Sequence, residues 1–298
     1  MNYRLLGKSS LSISEIAFGC MSLNDTDTVN ARIIHEAIDA GINYFDTADI
    51  YQDGANEKTL GKAIKQKRAK VIVATKVGNV RRKDNKELDW NPSKAHILAS
   101  VDESLKRLQT DYIDLYQLHG GTIDDPIGEV IETFEGLQKL GKIRFYGISS
   151  IRPNVIVQYV QRSNIVSVMM QYSLLDRRAE ETCLPLLKEH NIGVLARGTL
   201  AGGLLADKHA NPYLKYTEDH VYKMASAVRA ISGLSRKTSQ TALQFVLQQP
   251  GITAAVVGMR TSEQLSDIIA TTKTPLLTDN EIAFLRTQIL PNYYDQHR

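Results

Sequence analysis

Two hydrophobic periods alternate along this chain. Short runs rich in β-branched and aromatic residues, such as Ile42-Asn43-Tyr44-Phe45 and Val71-Ile72-Val73-Ala74, suit strands buried on both faces. Between them lie longer stretches whose apolar residues return every three or four positions, the mark of a helix with one buried face. Residues 2–13 alternate weakly around Gly7-Lys8-Ser9-Ser10, which predicts a short hairpin able to plug one end of a barrel.

The pattern predicts a strand over 14–19, then a helix capped by Asp27 or Thr28, carrying Ile33, Ile34, Ala37 and Ile38 and ended by Gly41. A strand from residue 42 leads into the turn holding Asp46 and Tyr51. A helix over 56–64, a strand over 70–76 and a polar loop over 78–91 come next. Pro92 favours a helix carrying Ile97, Val101, Leu105 and Leu108, before a strand over 111–119. Helix 127–140, strand 143–149, helix 153–162, strand 165–171, helix 180–190 and strand 192–196 continue the alternation. A glycine-rich loop at 198–203 and a longer polar loop precede helices over 219–232 and 238–249. Strand 253–257, helix 262–271 and a last helix from 279 complete the chain, with Thr278 and Glu281 at capping-box spacing.

Eight strands, each followed by helical sequence and with no break in composition, predict one domain over 1–298: an α/β fold, a closed (β/α)8 TIM barrel with an N-terminal β-hairpin and additional helices. An open doubly wound sheet would need a reversal of strand order and lacks a G-x-G-x-x-G after the first strand.

Composition narrows the functional classes. With 298 residues, 43% hydrophobic and 23% charged, the chain has material for a core and none of the bias of disorder. A formal charge of +3 is too small to call for a polyanion, so no nucleic acid partner is expected, and the basic runs at 62–70 and 81–83 read as solvated faces. Cys20 and Cys183 suggest neither a disulfide nor a metal site, which fits a reducing cytoplasm. No signal pattern opens the chain and no apolar run reaches membrane-spanning length, so a cytoplasmic protein without a membrane partner is expected.

Active sites of such barrels sit at the C-terminal ends of the strands, and four polar residues converge there: Asp46 and Tyr51 after the second strand, Lys76 ending the third and His119 ending the fourth. Singly, each is an ordinary turn or rim residue. Together they make a proton donor: the phenol of Tyr51 needs a cation to stabilise its phenolate, Lys76 supplies one, Asp46 keeps that lysine charged, and His119 can orient a carbonyl oxygen. None of them can supply a hydride.

Here the chain resembles the aldo-keto reductase family nearly end to end. The matching stretches are Gly-Ile-Asn-Tyr-Phe-Asp-Thr-Ala-Asp-Ile-Tyr ending at Tyr51, Asn56-Glu57, Val-Ile-Val-Ala-Thr-Lys ending at Lys76 and Asp-Tyr-Ile-Asp-Leu-Tyr-Gln-Leu-His ending at His119. Gly141-Lys-Ile-Arg-Phe-Tyr-Gly-Ile-Ser149, Gln171-Tyr-Ser and Gly258-Met-Arg-Thr-Ser-Glu-Gln264 complete them. The resemblance implies NADP(H)-dependent reduction of a small aldehyde or ketone, with Tyr51 as general acid and Ser149 and Gln171 on the nicotinamide carboxamide. For the phosphates, Arg197, Gly198, Leu200 and Gly202 lie in one loop and Gly258, Arg260, Ser262 and Gln264 in another that opens a helix; Arg260 and Ser262 suit a 2′-phosphate.

Arg197 stands where the family often has an aromatic that stacks on the nicotinamide, and a guanidinium plane can stack in its place. Ser150 and Ile268 replace asparagines common in the family, which leaves one carboxamide and one adenine contact open. Three other readings stay open: an NADP(H)-binding redox-sensing subunit with little turnover, a lyase using Lys76 as a Schiff-base nucleophile, and a binding protein with a vestigial site. Substrate and oligomeric state are not legible; the substrate wall is expected from loops 20–26, 78–91, 120–126 and 203–220, with Trp90 as one candidate.

Overall fold

Eight parallel strands close into a barrel in the computed structural model of the chain, which describes residues 1–23, 26–82 and 87–298. A hairpin of β1 (Tyr3–Leu5) and β2 (Ser12–Ser14) comes first. The barrel strands begin with β3 (Ile16–Gly19), β4 (Tyr44–Asp46) and β5 (Ile72–Val77), after which β6 (Asn79–Arg81) and β7 (Leu88–Trp90) form a small antiparallel hairpin outside the barrel. The barrel resumes with β8 (Ile113–Leu118), β9 (Ile143–Ser149), β10 (Ser167–Gln171), β11 (Gly193–Arg197) and β12 (Ile252–Val257), and β12 pairs with β3 to close it.

The helices are α1 (Asp27–Asp39), α2 (Ala55–Ile64), α3 (Lys94–Leu108), α4 (Ile127–Lys139), α5 (Pro153–Arg162), α6 (Cys183–Glu189), α7 (Glu218–Ser232), α8 (Thr238–Leu247), α9 (Ser262–Ala270) and α10 (Asp279–Thr287). Helices α7 and α10 are additions to the one-helix-per-strand plan. Each helix turns its apolar face onto the strands: α1 does so with Ile33, Ile34 and Ala37, and α3 with Ile97, Val101 and Leu108. Thr278 and Glu281 form the expected capping box of α10.

Strand parity separates stability from chemistry. Ala17, Tyr44, Ala74, Leu115, Met169, Leu195 and Ala254 meet in one buried cluster. Because side chains alternate, the residue two positions further along each strand shares the same face, one layer nearer the C-terminal rim. Asp46, Lys76, Gln117, Gln171 and Arg197 occupy that layer. The hairpin seals the opposite end with Leu6, Leu11 and Ile13, which belong to the same cluster. Arg4 ties it down by donating to the Leu247 and Ile252 carbonyls and pairing with Glu15.

Three local expectations change. Thr26, one residue before the expected caps, caps α1 by accepting from Val29 N. The loop over 78–91 contains the β6–β7 hairpin, too short and polar for a period of two to show. Its anchor is Trp90, which packs on Gly78 and Gly120 and donates to Asp125 Oδ1 at 2.9 Å. Lys83, from the basic run, and parts of the two wall loops 20–26 and 78–91 lie outside the described residues. The helix expected over 180–190 begins only at Cys183, because Pro185 has no N–H for the Glu181 carbonyl and can sit only in a first turn.

Gly7 allows the hairpin to enter the barrel floor. It has φ +55°, and a Cβ there would meet Gly193 N at 2.6 Å and Asn191 O at 2.8 Å, besides the Val166 carbonyl. These are backbone atoms that cannot swing away. Gly7→Ala should therefore cost about 3 kcal/mol, read as a lowered denaturant midpoint; an unchanged midpoint would mean that the hairpin is not seated in the floor.

Candidate active site

Asp46, Tyr51, Lys76 and His119 come together at the C-terminal rim. Asp46 ends β4, Lys76 is the penultimate residue of β5, and His119 directly follows β8. The backbone around His119 is fixed twice, its N–H donating to Val77 O and its carbonyl accepting from Asn79 Nδ2, both at 2.7 Å. Tyr51 opens a tight turn, its ring edge-on to His119 with centroids 6.1 Å apart.

Lys76 is the centre of the group. It is fully buried, and its ammonium donates to Asp46 Oδ1 and, at 2.6 Å, to the Thr47 carbonyl. The same nitrogen lies 5.0 Å from the centroid of the Tyr51 ring. Burial pulls the lysine pKa down, but Asp46 and Tyr51 outweigh it and leave the group above its ordinary value. Burial lifts Asp46 above the usual carboxylate range, with Lys76 and Gln117 pulling it back. Burial, Lys76 and Arg197 hold His119 down to about 3, so its imidazole is neutral and can donate one N–H while carrying no charge.

The turn after Tyr51 is strained and braced. Gln52, Asp53 and Gly54 all have positive φ, and a Cβ on Gly54 would lie 2.7 Å from Arg107 Cδ. Asn56, fully buried, bonds Thr47 Oγ1 at 2.7 Å, the Cys20 carbonyl at 2.8 Å and Gln52 Oε1 at 3.1 Å. Glu57 accepts from Thr75 Oγ1 and from Arg107 Nε, both at 2.6 Å. Thr75 precedes Lys76, so one buried carboxylate links the lysine strand to the helix that carries the tyrosine turn.

The other expected residues line the same rim. Ser149 ends β9 and Gln171 ends β10, whose register places Met169 beside Ser149. Arg178 donates to Gln171 Oε1 at 3.2 Å while pairing with Asp176 and stacking over Tyr294, which leaves Gln171 Nε2 as the donor end. Arg197 ends β11, and the loop behind it turns through left-handed Gly198, Ala201, Gly202 and Gly203, with Leu200 among them. After β12, Gly258 leads to Arg260, whose N–H donates to Gln264 Oε1, and to Ser262 at the first turn of α9. Adjacent hydroxyl and amide donors, a glycine cradle and a helix N-terminus beside an arginine are a donor set that fits a nicotinamide dinucleotide. Ile268, where the family often has an asparagine, is buried in the core. A surface groove of about 610 Å³ between α1 and α2 is lined by none of these residues.

The sequence model of the Aldo/keto reductase family matches residues 15–288. The chain belongs to that family. It is 47% identical over the whole of both chains to the protein described as uncharacterized oxidoreductase YqkF of Bacillus subtilis (strain 168). Among solved structures it is similar to the holo form of the aldo-keto reductase AKR11C1 from Bacillus halodurans, with 46% identity, a TM-score of 0.94 and coverage of 100% of this chain and 99% of that one. The apo form gives 44% identity and a TM-score of 0.86, with the same coverage. This aldo-keto reductase is thus an oxidoreductase built on the (β/α)8 barrel.

Gln117, Asn56 and Glu57 carry no assigned role in the sequence reading. A signal for Gln117 existed: it is two positions before His119, hence on the same face, and it is polar between Tyr116 and Leu118 in a buried strand. The bracing by Asn56 and Glu57 depends on contacts between elements that no local spacing reveals.

Asp49, in the turn between Asp46 and Tyr51, has an Oδ1 with no hydrogen-bond partner among the described residues and a carboxyl pushed up from 3.8 to about 7 by burial and by Glu57. An elevated folded-state pKa means the folded protein binds the proton more tightly than the unfolded chain between those two values. Stability therefore falls as pH rises through this window, and the whole cost is present above it. Asp49→Asn should accordingly gain on the order of 2 kcal/mol at about pH 8 and little at about pH 4, measured by urea denaturation. An equal change at both pH values would rule this out.

Proposed function

We propose that this aldo-keto reductase is an NADPH-dependent reductase of small aldehydes or ketones, with Tyr51 as the general acid. The observation that carries the reading is Lys76 Nζ, held by Asp46 and the Thr47 carbonyl and lying 5.0 Å from the Tyr51 ring centroid. Bound NADPH supplies the hydride and no proton.

The side chains supply the rest. Tyr51 and His119 both address the substrate oxygen, His119 as a neutral hydrogen-bond donor and Tyr51 as the group that gives up its proton to the alkoxide. Lys76 stabilises the phenolate left behind, and Asp46 keeps Lys76 charged before and after the transfer. Ser149 and Gln171 hold the carboxamide, Arg197 lays its guanidinium plane where the family often has an aromatic, and the 198–203 loop approaches the pyrophosphate. Arg260 and Ser262 take the 2′-phosphate, which is the basis for preferring NADPH to NADH. The greater likeness to the holo than to the apo form of AKR11C1 supports a backbone already set for the cofactor. A Schiff-base role for Lys76 is disfavoured, since a fully buried ammonium paired with a carboxylate is a poor nucleophile.

Consumption of NADPH with hexanal, benzaldehyde and methylglyoxal tests the reading. Multiple turnovers with at least one of them are expected, and Tyr51→Phe should lower kcat by about a thousandfold with NADPH still bound. Undiminished activity of Tyr51→Phe would defeat the mechanism, and tight cofactor binding without turnover on any carbonyl would favour the redox-sensing alternative. Arg260→Ala should raise KM for NADPH about tenfold while leaving KM for NADH nearly unchanged. Because His119 stays neutral, the pH profile should show no step near the ordinary histidine value of 6.5.

A further inference from the structure

Asp46 has two oxygens in a buried layer of the barrel, and Lys76 donates to only one of them. The second, Oδ2, accepts from Gln117 Nε2 at 3.2 Å. Gln117 is fully buried on β8, directly opposite Lys76 in the β5–β8 register, so the lysine and the amide reach the carboxylate from neighbouring strands. The other end of the amide, Oε1, has no hydrogen-bond partner among the described residues. A buried carbonyl without a donor is a standing cost, and an apolar side chain of similar size would remove it. The orphaned oxygen thus gives no reason for a glutamine here; the amide's bond to the buried carboxylate of Asp46 does.

We propose that Gln117 is a positioning residue of this active site, holding the second oxygen of Asp46 so that the carboxylate stays ionised and aligned on Lys76 over the working pH range. This rests on the reading of Tyr51 as the acid and Lys76 as its supporting cation.

The chemistry follows from what faces the carboxylate. Lys76 from β5 and Arg197 from β11 favour its charge; Cys20, in the turn after β3, and Tyr44 on its own strand are buried and protonated, and their ionisation is opposed by Asp46. Tyr51 and His119 lie beyond Lys76. Gln117 is the neutral donor that satisfies the remaining oxygen. Without it, Asp46 takes up a proton more readily and turns freely about its side-chain bond. Lys76 then loses its counter-charge, and burial drives it toward the neutral amine, which cannot support a phenolate.

Three enzymes, assayed in full pH profiles of kcat with NADPH and the fastest of the carbonyl probes above, test the proposal. Gln117→Leu should still fold, with a melting temperature within a few degrees of the wild type, because losing the orphaned carbonyl offsets losing one donor to Asp46. Its pH window should narrow from both sides by about one unit, with kcat at the optimum reduced about tenfold and NADPH affinity unchanged within about twofold. Gln117→Glu is the conservative rescue. Its carboxylic acid can donate to Asp46 as the amide does, so activity should approach the wild-type value at the acid end and collapse once both carboxyls ionise and repel. A wild-type profile for Gln117→Leu, a uniform loss at every pH accompanied by lowered stability, or a Gln117→Glu enzyme fully active at alkaline pH would each overturn the proposal. Tyr51→Phe in parallel separates the two levels of argument: if it remains active the general-acid reading fails, whereas an inactive Tyr51→Phe beside a wild-type profile for Gln117→Leu removes only the role of Gln117.

Discussion

The buried ion pair between Lys76 and Asp46 is the constraint on which the rest of the rim depends. Taking an ammonium and a carboxylate out of water costs several kcal/mol for each ion, and their attraction offsets this only where the remaining donors and acceptors are also satisfied. Here they are: Lys76 donates to Asp46 and to the Thr47 carbonyl, while Asp46 receives Gln117 on its free oxygen. A pair of this kind is poor evidence for stability, since well-packed apolar residues would serve the fold as well. Its presence in the layer just above an apolar barrel floor is better explained by the phenol next to it.

Barrel geometry makes such a pair possible without disturbing the core. Alternation along each strand assigns Tyr44 and Asp46 to one face, as it does Ala74 and Lys76, or Leu115 and Gln117. The inner residue of each couple packs against the hairpin plug, and the outer one faces the rim. Moving the registers by one residue would turn every polar member of the upper layer outward onto the helices. Tight pairing of the strands, with Lys76 opposite Gln117 and Asp46 opposite Ala74, therefore sets the geometry of the rim as well as the fold.

Much of this was legible in the chain because local signals and global architecture agree. Strand 143–149 and helix 153–162 fall where their periodicities place them, since an apolar run and a proline at the first helical position are unambiguous. The four rim residues were legible for the same reason: each ends or follows a recognisable strand. The β6–β7 hairpin was not, because three-residue polar strands carry no period and their anchor, Trp90 on Gly78 and Gly120, is a contact across the fold. The late start of α6 could have been read from Pro185. Asn56 and Glu57 stood out only as part of a family pattern, and their physical task became visible when Thr75, Arg107 and Cys20 were brought beside them.

That task explains how a strained turn can hold the Tyr51 phenol in place. Three successive residues with positive φ follow Tyr51, a conformation that a free loop would abandon. Asn56 bonds both to Thr47, next to Asp46, and to the backbone of Cys20, and it reaches back to Gln52 within the turn itself. Glu57 does the same on the other side, linking Thr75 beside Lys76 to Arg107, whose side chain closes over Gly54. The turn is thus tied to the strand it leaves, to the lysine strand beside it and to the helix behind. A displacement of Tyr51 would have to break several of these buried bonds together, so the distance between the phenol and the ammonium is set by the same residues that stabilise the turn.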